Sequence, residues 1–252
     1  MLVMGILNVT PDSFADGGNY DTLDKAILRA EEMIEEGVDI IDIGGESTRP
    51  GAERISSQIE QERVIPVIEV LSAKGVVISI DTMRAETARA AIEAGASIVN
   101  DVSGGKADSD MHKIIAELGC RYILMHWRGH SKEMNSLALY NDVMSEVIDE
   151  TKIQLQRALD AGIKRENIIL DPGLGFSKDA GHNWEILRNI DRFIEIGYPV
   201  LIGASRKRFL GGDTPDSREK ATQDLTRELL KKDIWAVRVH SVKPHREIIG
   251  AA

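Results

Sequence analysis

Cysteine is almost missing from this 252-residue chain. Cys120 stands alone, so no intrachain disulfide can form and nothing requires an oxidising compartment. Its simplest role is that of a small buried apolar residue beside a strand. Long hydrophobic runs are missing too. No stretch approaches the roughly 18 apolar residues that a membrane-spanning helix needs, and Met1 to Thr10 has no basic leader before it runs into Pro11-Asp12. The expected setting is the cytoplasm, with no membrane partner. Positive charge is in deficit, with 31 Lys+Arg against 41 Asp+Glu and a formal net charge of −10. Such a surface opposes the gathering of nucleic acid or anionic lipid by bulk electrostatics, so any anion must be held locally.

Several chemical signatures are also absent. Gly44-Gly45 and Gly104-Gly105 lack the G-x-G-x-x-G spacing of a dinucleotide site. There is no Zn-type Cys/His spacing and no G-x-S-x-G elbow for a serine nucleophile. No Pro/Gly/Ser-rich linker divides the chain, which reads as one domain over residues 1–252.

What is present is an alternation. Short apolar runs at Leu2 to Leu7, Ile40 to Ile43, Val76 to Ile80, Ile98 to Val99, Tyr122 to Met125, Ile168 to Leu170, Val200 to Ile202 and Ala236 to Val239 read as strands buried on both faces. Amphipathic segments lie between them, such as Leu23 to Glu36, Ser57 to Lys74, Ala85 to Ala94, Asn141 to Ala161 and Trp184 to Ile196. A glycine follows the helical stretch at Gly37, Gly75, Gly95, Gly119, Gly162 and Gly197, where a helix ends most easily in a left-handed residue. Eight strands with intervening helices in about 250 residues predict a TIM (β/α)8 barrel. A doubly wound open sheet is the alternative.

Polar residues cluster where each predicted strand ends: Asn8, Asp42 with Glu46, Asp81, Asn100 with Asp101, His126, Asp171, Ser205 with Lys207, and Arg238 with His240. In a barrel these C-terminal ends converge on one mouth, where barrel active sites lie. Simple capping is the bland alternative for each taken singly. Asp81, Asn100 and Asp171 offer acceptors suited to an aminopyrimidine-like ring, and Lys207 a donor to a ring oxygen or nitrogen. Asp42, inside its strand, suggests a supporting role, and Glu46 fixing of its loop. Arg49, Arg238 and His240 suit a phosphate group. The glycine-rich segments from Asn8 to Gly18 and from Gly44 to Gly51 have the composition and length of loops that close over a mouth.

Seven motifs in order carry a resemblance: Asn8-Val-Thr-Pro-Asp-Ser-Phe-Ala-Asp-Gly-Gly, Gly45-Glu-Ser-Thr-Arg-Pro-Gly, Ser79-Ile-Asp-Thr-Met-Arg, Val99-Asn-Asp-Val-Ser-Gly-Gly, Asp171-Pro-Gly-Leu-Gly-Phe, Ser205-Arg-Lys-Arg-Phe and Arg238-Val-His. Together they span nearly the whole chain and resemble the dihydropteroate synthases of the pterin-binding enzyme family. Leu124-Met-His-Trp-Arg with Ser205-Arg-Lys-Arg-Phe-Leu is similar to the actinobacterial branch.

The resemblance implies condensation of 6-hydroxymethyl-7,8-dihydropterin diphosphate with p-aminobenzoate, giving 7,8-dihydropteroate and pyrophosphate with Mg2+. It implies pterin contacts from Asp81, Asn100, Asp171 and Lys207, and diphosphate contacts from Asn8, Thr48, Arg49, Arg238 and His240. Asn8 would be the metal ligand. Phe176, Ser205 and Lys207 would face p-aminobenzoate, where sulfonamides compete. Asp16, Asp81, Lys207, Arg238 and His240 form the implied catalytic set, and a homodimer is the implied assembly. A lone Asn8 with no ligand cluster is what a substrate-borne magnesium ion leaves in a sequence. The chemistry expected is dissociative, with positioning and charge stabilisation by the protein.

Three stretches depart from the pattern. Ser241 stands where an aspartate is expected, which predicts a looser His240. Leu225 to Asp233 replaces a small-residue helix, and the last helix is expected to stop soon after Pro244. Two other readings therefore stay open: a methyltetrahydrofolate:corrinoid methyltransferase domain on the same barrel, against which Thr10-Pro-Asp-Ser-Phe and Ser205-Arg-Lys-Arg-Phe argue, and a non-catalytic pterin-binding paralogue.

Overall fold

The computed structural model of the chain describes residues 1–10, 19–46, 54–130, 133–134 and 136–251. Its strands are β1 (Leu2–Asn8), β2 (Ile40–Gly44), β3 (Val77–Asp81), β4 (Ile98–Asp101), β5 (Arg121–Met125), β6 (Ile168–Asp171), β7 (Leu201–Ile202) and β8 (Ala236–Val239). All their pairings are parallel, in the order β6-β5-β4-β3-β2-β1-β8-β7. The remaining gap, between β6 and β7, is crossed by a parallel bridge from Leu170 to Val200, with Leu170 N–H donating to the Pro199 carbonyl at 2.9 Å. The sheet is thus a barrel joined by a narrow seam.

Helices α1 (Asn19–Glu35), α2 (Ser57–Ser72), α3 (Ala85–Glu93), α4 (Met111–Leu118), α5 (Val143–Asp160), α6 (Ala180–Arg188), α7 (Ile190–Ile194), α8 (Glu219–Leu229) and α9 (Val242–Gly250) follow or intervene. Ser56 starts α2 by accepting the Ile59 N–H, and Asp142 starts α5 by accepting that of Ser145. The six glycines expected to stop helices have φ from 65° to 116°. Trp184 to Ile196 is two helices rather than one, broken at Asn189, whose φ of −109° and ψ of 23° leave the helical range. The closing helix runs nine residues from Val242 to Gly250, because Pro244 lies in its first turn, where a missing N–H has no intrahelical partner to lose. It does not stop at once.

The two-residue period of a strand decides what faces inward. Met4, Ile40, Ile98, Ile123, Ile169, Leu201 and Ala236 form one buried cluster, a plug inside the barrel. Their neighbours Val3, Ile41, Val99, Tyr122, Leu124, Ile168, Leu170, Ile202 and Val237 belong to the larger core shared with the helices. Fully burying an aliphatic side chain of this size stabilises by roughly 1.5–3 kcal/mol relative to leaving it in water. One step further along each strand, the same inward direction brings up Asp42, Asn100, Asp171 and Arg238. The polar layer therefore sits directly on the plug.

Candidate functional site

Arg238, projecting inward from β8, is the hub of that layer. Its Nε donates to Asp42 Oδ2 at 2.5 Å and one amino nitrogen donates to Asp81 Oδ2 at 2.6 Å. Asn100 Nδ2 donates to the same Asp42 oxygen at 3.0 Å. Asp42 is wholly buried, whereas the Asp81 side chain keeps 12% of its exposure and faces the mouth. Burial pushes the Asp81 carboxyl up to about 7, against the pull of Arg238 and with help from the negative Asp42. Arg238 is thus more than a cation awaiting a phosphate, the part expected of it: its guanidinium holds two carboxylates in place.

Asp171 closes the other side. Its Oδ1 accepts the Gly173 N–H at 2.7 Å, and burial raises its carboxyl while Lys207 works in the opposite direction. Lys207 is drawn down to about 8, first by burial, with Asp171 opposing. Its ammonium donates to the Leu174 carbonyl and lies 4.9 Å from the centre of the Phe176 ring. Phe176, Lys207 and Asp171 therefore meet on one wall.

Two glycines keep the cavity open. A Cβ on Gly203 would stand 3.7 Å from Asp171 Oδ2 and 4.0 Å from Arg238 Cβ. One on Gly44 would stand 3.8 Å from both Asn8 Oδ1 and Asp81 Oδ2. Asn8, Asp81, Asp171 and Arg238 thus border a shared space. Ser205 Oγ and His240 Nδ1 are 3.0 Å apart, and the His240 N–H donates to Ser205 Oγ at 3.2 Å. Ser205 thus gives His240 a partner that does not depend on residue 241. Ser241 Oγ accepts from Arg206 instead, at 2.7 Å.

Not every polar strand end reaches the mouth. Asp101 points outward, accepting from Tyr122 Oη at 2.9 Å and from the backbone N–H groups of Ser103 and Gly105. His126 lies under the turn after β6, with Lys178 Nζ 2.8 Å from its Nδ1 and Glu150 Oε2 2.9 Å from its Nε2. Asp16, Thr48 and Arg49 fall outside the described residues. The ends of the segment bearing Thr48 and Arg49 are gathered by Arg84, which donates to Glu46, to the Ile55 carbonyl and, at 3.0 Å, to Glu60. Arg84, Lys178 and Glu150 escaped the sequence reading. Glu60 left a signal, since it falls on the buried stripe of α2 with Val64, Val67, Ile68 and Leu71.

His126 gives a pH prediction. Burial, then the neighbouring Lys178 charge, pulls it down to about 3 from a usual 6.5. The folded state therefore binds fewer protons there, and the stabilisation is present above pH 6.5 and lost as pH falls towards 3. Asp81, raised to about 7, works the other way in the same range, so a difference measurement is needed. Asparagine at 126 places an oxygen near the position of Nδ1 and cannot take up the proton. Urea denaturation at pH 6.5 and pH 5 should show His126→Asn gaining about 1.6 kcal/mol on wild type over that interval. An unchanged difference would refute the assignment.

Among the described residues no helix is long and apolar enough to cross a membrane, and no three His, Cys, Asp or Glu side chains are grouped to hold a metal ion. The chain matches the family described as pterin binding enzyme over residues 4–240. It is 45% identical to a dihydropteroate synthase from Mycobacterium leprae over 251 residues, covering 96% of this chain and 88% of that one. The structure is similar to that of a dihydropteroate synthase from Clostridium difficile solved in the presence of pteroic acid, with a TM-score of 0.94 and 39% identity over 100% of this chain and 95% of that one. A Xanthomonas albilineans dihydropteroate synthase with 4-aminobenzoic acid gives a TM-score of 0.93 at 37% identity, over 99% and 91% of the two chains.

Proposed function

The chain belongs to the pterin-binding enzyme family, and on that premise we propose that it acts as a dihydropteroate synthase, joining 6-hydroxymethyl-7,8-dihydropterin diphosphate to p-aminobenzoate. The observation that carries this reading is the polar layer itself: Asp81, Asn100, Asp171 and Lys207 stand together above the apolar plug, with Arg238 fixing Asp42 and Asp81. An aminopyrimidine edge offers a row of N–H donors, and a pterin carbonyl and ring nitrogen offer acceptors; carboxylates and a lysine answer both.

In the proposed reaction the C–O bond between the pterin methylene and the diphosphate breaks, and pyrophosphate leaves with the electron pair. The methylene becomes cationic, and the arylamine nitrogen attacks it and then gives up a proton. Asp81 and Asp171 lower the energy of the cation by proximity of negative charge in a site screened from water. Phe176, Ser205 and Lys207 orient the arylamine, and His240 and Asn8 bind the diphosphate; Asp16, Thr48 and Arg49, outside the described residues, keep only the roles that the resemblance implies. The donor set fits magnesium carried in by a diphosphate: Asn8 supplies a single amide oxygen, and among the described residues no carboxylate cage competes for the ion. When bound, the ion neutralises charge on the departing pyrophosphate. A cytoplasmic homodimer is the assembly proposed on the family resemblance.

The test is turnover of the purified chain. Pyrophosphate release should require both p-aminobenzoate and magnesium and should stop on chelation. Equal release with the pterin diphosphate alone would overturn the proposal.

A further inference from the structure

Lys178 is a buried cation that the proposed reaction leaves unused. Its Nζ meets three groups: His126 Nδ1 at 2.8 Å, the Gly173 carbonyl at 3.0 Å and the Phe176 carbonyl at 3.0 Å. An ammonium has three donors, so all are used if His126 Nδ1 is the acceptor. The far side of the ring supports that tautomer, because Nε2 faces the Glu150 carboxylate at 2.9 Å, and Glu150 is in turn held by Arg128 at 2.5 Å.

The two carbonyls belong to a turn held partly from outside: the Gly175 N–H donates to Asn183 Oδ1 at 2.7 Å, and Lys178 holds the carbonyls. Gly173, Gly175 and Ser177 have φ of 70°, 76° and 47°, and Ser177 adopts that left-handed angle without being glycine. A Cβ on Gly173 would fall 2.2 Å from the His126 carbonyl, so the turn is pressed against β5. Asp171 precedes it and is secured by the ladder, where the His126 N–H donates to the Asp171 carbonyl at 2.9 Å. Phe176 lies beyond the ladder. Its own N–H reaches the Gly173 carbonyl at 3.1 Å, and its carbonyl reaches Lys178. Lys207 leans on the same turn through the Leu174 carbonyl.

We infer that Lys178 is a positioning residue for the arylamine: from beneath the turn it fixes the Gly173 and Phe176 carbonyls, and through them the Phe176 ring, and so sets affinity for the arylamine rather than for the pterin. Burial lowers its ammonium to about 7, with Asp171 opposing, which is what an enclosed strut between neutral acceptors should show. The asymmetry follows from anchoring. Asp171 keeps its strand when Lys178 is lost, whereas Phe176 loses one of its two backbone holds.

This inference rests on the synthase reading of the site, and the experiment separates the two. Wild type without arylamine-dependent turnover fails that reading; an active wild type with indifferent variants fails this inference alone. Lys178→Met removes all three donors at similar length. It should raise KM for p-aminobenzoate about tenfold or more, with KM for the pterin diphosphate and kcat each within about threefold of wild type. Lys178→Arg, which keeps the charge, should recover at least half of that loss on a logarithmic scale. A folded Lys178→Met with wild-type KM for the arylamine, or with both KM values rising together, overturns the proposal. If it does not fold, Lys178→Gln takes its place under the same criterion, and failure of both neutral variants to fold assigns the residue to stability alone and overturns it equally.

Discussion

Asp81→Asn should reduce kcat/KM for the pterin diphosphate by roughly 10²- to 10³-fold at pH 8 while leaving the chain folded. The side chain is nearly isosteric, so packing is retained, and Asp42 continues to hold Arg238 at 2.5 Å. What disappears is the negative charge at the mouth. A hydrogen bond to a charged group contributes about 1.5–3 kcal/mol, and losing two in the lower half of that range against the pterin edge corresponds to two or three orders of magnitude. The amide also presents an N–H to a row of donors. The same residue sets the pH limb: below about 7 the wild-type carboxyl takes up a proton, so kcat/KM should rise from pH 6 to 8 in wild type and stay level in the variant. Steady-state kinetics with varied pterin diphosphate would decide. A loss under tenfold would remove Asp81 from pterin recognition.

Arg238→Met should be the costliest change to stability in the site. It leaves the wholly buried Asp42 with Asn100 as its hydrogen-bonding partner and strips Asp81 of its cation. Removing one partner of a buried ion pair commonly costs about 3–5 kcal/mol, because a charge is stranded in a medium that solvates it poorly. Asp81, already raised by burial, responds by taking up a proton, so the deficit should shrink as pH falls, the opposite of ordinary acid destabilisation. The urea midpoint should drop with an unchanged slope, and turnover should fall with it. Adding Asp42→Asn, which removes the stranded charge, should recover part of the stability but not the turnover. An Arg238→Met protein as stable as wild type would show that the web orders the mouth without holding the barrel.

The strands were legible from the sequence to within about two residues at each end, which is the ordinary scatter of element boundaries. A buried parallel strand can scarcely be anything but continuous apolar residues, and the glycines that end helices mark positive φ directly. The mouth was legible for a related reason: Asp42, Asn100, Asp171 and Arg238 break apolar runs at inward positions, where an unpaired polar group is expensive. Partnership was not legible. Nothing in the spacing of Arg238 and Asp42, 196 residues apart, says that they touch, so Arg238 read as a phosphate ligand. The same holds for Lys178, which follows Phe176 by two residues and looks like a solvated loop lysine until the fold closes over it. Asp101 misled because it adjoins Asn100; strand alternation sends one of each adjacent pair outward, and here it turns towards Tyr122. The helix broken at Asn189 shows a limit of periodicity, since two short helices in line keep nearly the same apolar stripe.

The narrow closure between Leu170 and Val200 bears on the geometry of the polar layer. Strand β6 ends in Asp171, and the chain leaving β7 carries Ser205 and Lys207. The staves flanking the barrel's weakest joint are thus the ones that bear the arylamine wall. Breathing there would alter the spacing of Asp171 and Lys207 while Asp81 and Asn100, on the continuous side of the ring, stayed put, so one joint governs how far apart the two halves of the polar layer stand.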